Sequence, residues 1–121
     1  MYFREVCEQG DIKHLEKILT WTTIIDFNET DEFGQSGFFH ACCEGHVQVV
    51  KLLCQKSKDL DLDLNKAKKN GWNGFHSACN NKHEEIVDFL IENAKEFGID
   101  LLVKSNKGNT GYDLWPEKFR S

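Results

Sequence analysis

The residues most able to do chemistry are histidines and thiols set close together. Residues 33–46 read FGQSGFFHACCEGH and carry His40, Cys42, Cys43 and His46, while residues 70–83 read NGWNGFHSACNNKH and carry His76, Cys79 and His83. Spacings of this kind could supply the N and S ligands that zinc takes in tetrahedral sites. A thiol near a histidine could equally serve as a nucleophile. Cys43, on the outer side of its segment, is the best placed for that, but Glu44 and Asp31 nearby would raise a thiol pKa rather than lower it. A third cluster, Asp59, Asp61 and Asp63 in KDLDLDLN, suggests calcium, yet the glycine and closing glutamate of an EF-hand loop are missing. A solvated linker is the simpler reading of that stretch.

The histidines and cysteines also have a simpler reading, because the chain repeats itself. Gly34, Gly71 and Gly108 fall at intervals of 37 residues. Each is followed by a capping residue (Ser36, Asn73, Thr110), a second glycine (Gly37, Gly74, Gly111) and an aromatic (Phe38, Phe75, Tyr112). The first two copies continue in step through Ala41-Cys42 and Ala78-Cys79, His46 and His83, Val49-Val50 and Ile86-Val87, and Leu53 and Leu90. A glycine after polar residues suits a tight turn with positive φ. Ser, Asn and Thr accept bonds from the free N–H groups at a helix start, so a short helix is predicted after each cap. Cys42 and Cys79, like Cys7, then sit in a small buried slot where cysteine acts as a small hydrophobe. The apolar sets Val49, Val50, Leu53 and Cys54, and Ile86, Val87, Leu90 and Ile91, form the stripe of a second helix. A turn, helix, turn, helix unit cannot bury both helices alone, so successive copies must stack.

Composition is compatible with such a domain. One domain is expected from 121 residues, and five cysteines are an odd number with no signal-peptide start, which predicts free thiols in a reducing compartment, the cytoplasm with the nucleus also open to it. A formal charge of −5 makes nucleic acid and anionic membrane poor partners. No cofactor or metal is expected.

The repeat resembles the ankyrin repeat, whose pattern runs D-x-x-G-x-T-P-L-H-x-A-A-x-x-G-H-x-x-V-V-x-L-L-L. The likeness is specific for Asp31 to Cys54 and Lys68 to Ile91, and extends to partial copies at Val6 to Leu19 and Gly108 to Leu114. It implies an all-α solenoid of helix pairs linked by hairpin-like turns, a single domain over residues 1–121. Within it, 1–30 form an N-terminal capping repeat, 31–67 and 68–104 full repeats, and 105–121 a C-terminal cap. The pattern departs from the family in four ways. The period exceeds the usual length of about 33, which predicts an extra turn on the second helices and a longer link. Glycine replaces the helix-opening proline, which predicts softer junctions. Phe39 stands where His76 keeps the family histidine. Trp115 and Pro116 should cut the last helix short.

The resemblance implies non-catalytic binding of another protein, by a monomer, through the concave face. The variable surface positions of the family fall on Glu32, Phe33, Gln35, Cys43 and Glu44, on Lys69, Asn70, Trp72, Asn80 and Asn81, and on Asn106, Lys107 and Asn109. Trp72 and Phe33 are the expected anchors, packing against a neighbouring hairpin being the alternative. Acidic residues (Asp26, Glu29, Asp31, Glu32) surround the first turn and basic ones (Lys66, Lys68, Lys69, Lys104, Lys107) the next two. Such a gradient would orient a partner. A regulatory or targeting segment of a larger multidomain protein stays open as a second reading.

Overall fold

A computed structural model describes residues 3–20 and 25–120. Its plan begins at the turns. The backbone N–H groups of Asp31, Lys68 and Ser105 donate to the carbonyls of Gln35, Trp72 and Asn109 at 3.0, 2.9 and 2.8 Å. Gly34, Gly71 and Gly108 sit within these loops at φ +82°, +87° and +83°, a conformation in which a Cβ would be strained. Each tip then feeds a helix. Ser36 Oγ accepts from the Phe39 N–H at 3.1 Å and opens α3 (Gly37–Glu44); Asn73 Oδ1 accepts from the His76 N–H at 3.1 Å and opens α5 (Gly74–Asn80).

A second turn leads into α4 (Val47–Lys56) and α6 (Glu84–Phe97), and the chain starts with the pair α1 (Phe3–Gln9) and α2 (Ile12–Ile18). Helices α1, α3 and α5 stack side by side as one layer, and α2, α4 and α6 as the other. Between them runs one apolar seam, with Val6, Cys7, Leu15 and Ile18 succeeded by Ala41, Cys42, Val50 and Leu53, then by Ala78, Cys79, Val87 and Leu90, all buried. The described residues form no strand; Thr30 and Ser36 make an isolated antiparallel bridge.

Polar ties at the repeat interval lock the stack. Asn28 donates from Nδ2 to the Asp61 carbonyl (2.8 Å) and accepts from the Asp63 N–H (2.7 Å). Asn65, one period on, holds the Gly98 carbonyl and the Asp100 N–H at 2.9 and 2.8 Å. At the tips, Lys69 N–H donates to the Phe33 carbonyl and Asn106 N–H to the Asn70 carbonyl, at 3.3 and 2.9 Å.

Four details differ from the sequence reading. The helix-opening glycines are sites of close approach and not soft joints: the ring of Phe3 lies against Gly37, that of Phe38 against Gly74 and that of Phe75 against Gly111, in the space a side chain would fill. The extra turn appears in α6, which has 14 residues, but α4 has 10 and stops at Lys56. There the alternation of Asp and Leu has a period of two, which no helix can bury on one face, and the link turns so that Leu62 and Leu64 point inward. Thr110 does not cap: its N–H and Oγ1–H both donate to Asp113 Oδ2, at 2.9 and 3.2 Å, and only a single 3-10 turn, Tyr112–Leu114, follows. Pro116 ends that turn by starting another helix, α7 (Pro116–Phe119), at the first position, where its missing N–H is not needed.

The last turn folds back over the stack. Tyr112 meets Phe75 edge to face at 5.2 Å, Phe119 meets Tyr112 at 4.8 Å, and Lys118 reaches Glu84 (2.9 Å) and Asp88 (3.1 Å) of α6.

Candidate functional site

The histidines turn out to be the mortar between units. His46 Nε2–H donates to the Glu8 carbonyl at 2.7 Å and His83 Nε2–H to the Cys43 carbonyl at 2.8 Å, each ring lying over a glycine of the unit before, Gly10 and Gly45. His76 is buried at the start of α5; its Nε2–H donates to the Asn109 carbonyl (2.8 Å) and its Nδ1 accepts from the Asn73 N–H (3.1 Å). His40 bridges the first two units, with Nε2 3.0 Å from Asp31 Oδ2 and Nδ1 3.3 Å from Glu8 Oε2. For Asp31, partial burial would raise the carboxyl pKa. Bonds from the Gln35 N–H, His40 and the Phe33 N–H outweigh that and hold it below the usual range. This tie was hidden in the sequence, where His40 stood out only as a possible ligand. Among the described residues no three His, Cys, Asp or Glu side chains converge as metal ligands.

The thiols divide in two. Burial pushes Cys7, Cys54 and Cys79 up to about 12 and raises Cys42 well above the ordinary value, which leaves all four protonated. Cys43 is half-exposed, and its Sγ accepts from Asn81 Nδ2 at 3.4 Å while His83 is spent on its carbonyl. Ellman's reagent added to folded protein is expected to label Cys43 and leave the other four thiols unmodified until denaturant is added. Rapid labelling of two or more thiols in the native state would show that the seam between the layers opens readily.

The positions implied for binding lie along the tips and the ends of α3 and α5. Phe33 is 59% exposed at the first tip and lines an open groove with Gln35, Lys68, Lys69 and Asn70. Trp72 is half-buried: its indole stacks on His76 with centroids 6.3 Å apart and planes 9° from parallel. Lys68 was not among the implied positions, yet its Nζ lies over two rings, those of Phe39 (5.5 Å) and Trp72 (5.4 Å). A lysine at the start of a turn gives no local sign that two aromatics from different units will flank it.

The other positions divide three ways. Asn81 donates to the Cys43 carbonyl and Asn106 to the Lys69 carbonyl, both at 3.0 Å, so these side chains join neighbouring units. Asn70 Oδ1 accepts from the Trp72 N–H (2.9 Å) within its own turn, and the Asn109 carbonyl takes the His76 bond. Glu32, Glu44, Lys69, Asn80 and Lys107 are exposed. Among the described residues the surface is therefore a row of tips, aromatic and cationic toward the second.

Residues 4–105 match the family model for ankyrin repeats, in three copies. No curated protein matches the chain at a significant level.

Proposed function

The chain belongs to the ankyrin-repeat family, and from that premise we propose that it is a non-catalytic module that grips a partner protein along the tips and inner helices of residues 31–109. Ankyrin repeats serve generally in protein–protein interaction. The observation that carries the reading here is Phe33, a large apolar side chain left 59% exposed on a backbone whose carbonyl accepts from the Lys69 N–H of the next tip and whose N–H donates to Asp31 in its own turn. A rigid exposed aromatic loses little entropy on being covered, which is why such residues concentrate binding energy. Trp72, half-buried, would contribute the part of its indole that His76 and Lys68 leave open. Residues 1–30 and 105–121 would close the two ends of the stack.

The two aromatics separate binding from folding. Phe33→Ala is expected to leave the melting temperature nearly unchanged and to weaken a partner recovered from native lysate by about 1–2 kcal/mol. Trp72→Ala should weaken both, because it also uncovers His76. Unaltered recovery of partners by the double variant, measured by quantitative mass spectrometry, would remove the tips from the binding surface.

A second reading, that the array packs against other parts of a larger protein, draws on one feature. Leu102 is 71% exposed at the position that Asn28 and Asn65 occupy in earlier units, beside an open cleft of Ile99, Leu101 and Tyr112. Where the earlier asparagines tie to a following unit, this edge presents apolar surface instead.

A further inference from the structure

Carboxylates outnumber lysines and arginines in this chain by 20 to 15, so a cation held in the structure should find a counter-ion easily. Among the described residues three lysines lie over aromatic rings: Lys51, Lys68 and Lys118. Lys51 also reaches Glu85 at 3.4 Å, and Lys118 reaches Glu84 at 2.9 Å. Among the described residues Lys68 has no carboxylate in ion-pair range, although two ring faces, Phe39 and Trp72, fix its ammonium in place. Its neighbour Lys69 is exposed and likewise unpaired among those residues, and Phe33 stands across the groove from both. Glu32, next to Phe33 in the chain, is exposed and would repel a second negative charge.

Resting on the concave-face reading above, we propose that the groove between the first two tips takes an acidic peptide segment of the partner, one Asp or Glu carboxylate seated at Lys68 and a bulky apolar neighbour laid on Phe33. The rings fix the ammonium at low entropy and partly strip it of water, which strengthens its attraction for a carboxylate over that of a free surface lysine. Lys69 adds a second positive charge that steers the segment, and Glu32 sets its direction by excluding acid from the Phe33 end.

A display library of random peptides, selected on the full chain, tests this. The recovered peptides are expected to carry Asp or Glu next to, or one residue from, Leu, Ile, Phe or Trp. For a synthetic copy of one of them, Lys68→Gln should weaken binding about five- to tenfold at low salt, and Lys68→Arg should largely restore it. Phe33→Ala should weaken it comparably, with the fold of each variant verified by circular dichroism. Recovered peptides that are basic or uncharged but still lose affinity with Phe33→Ala would overturn the acidic preference and leave the concave face standing. Acidic peptides indifferent to Lys68 and Phe33 alike would overturn both. An empty selection, or a phosphoserine in place of the acid binding more than about tenfold tighter, would overturn a carboxylate as the ligand.

Discussion

Gly74→Ala is expected to destabilise the protein by about 1–3 kcal/mol, although alanine is the better helix former. A Cβ built on Gly74 would stand 2.9 Å from Cys42 Sγ and 3.0 Å from Phe38 Cε2, both of them packed in the preceding unit. Neither can retreat, since Phe38 and Cys42 are buried in the seam that α3 shares with α1 and α5. The helices would have to separate, and every contact along α3 and α5 would loosen. Urea unfolding checks this, and a double variant with Phe38→Leu distinguishes the cause. If the loss comes from the collision with the Phe38 ring, Gly74→Ala should be less harmful in the Phe38→Leu background by about 0.5 kcal/mol or more. A stabilising Gly74→Ala would mean that helix propensity outweighs the close approach, and the sequence reading of a soft joint would return.

That glycine marks the border of what the sequence could tell. The interval of 37 residues, the caps Ser36 and Asn73, and the apolar stripes of α4 and α6 are local signals, and the folded chain uses them as they read. The ankyrin family, too, was legible in the residues from Asp31 to Ile91. What stayed hidden depends on which atoms of one unit meet the next. Asn28 and Asn65 look like ordinary loop residues, yet each satisfies a carbonyl and an N–H more than thirty positions away. Pro116 reads as a helix breaker because proline disrupts a helix interior, and only the chain path shows that it stands at a start. Lys68 is the same case at the binding surface: its significance comes from Phe39 and Trp72, and not from its neighbours in sequence.

His76 is where fold and surface meet, and it carries the other large expected effect. His76→Phe should lower stability by about 2–3 kcal/mol, a fall in melting temperature of about 8–12 °C for a domain of this size. The first full repeat already holds phenylalanine at this place, so shape alone does not forbid it. The difference lies in the partners. Ser36 pairs with Thr30 in a backbone bridge, whereas the buried Asn73 N–H has His76 Nδ1 as its acceptor and would be stranded. The tie from His76 Nε2–H to the Asn109 carbonyl, which fastens the third tip to the second unit, would vanish as well. His76→Gln keeps an acceptor and a donor on a shorter side chain and should recover part of the loss. Because the Trp72 indole rests on this ring, the loosening should spread to the aromatic seat of Lys68, and native-state tryptophan fluorescence should change in His76→Phe even before unfolding begins. A variant that melts within about 2 °C of the parent would show that the Asn73 N–H finds another acceptor, and that the third tip is held by its backbone contacts alone.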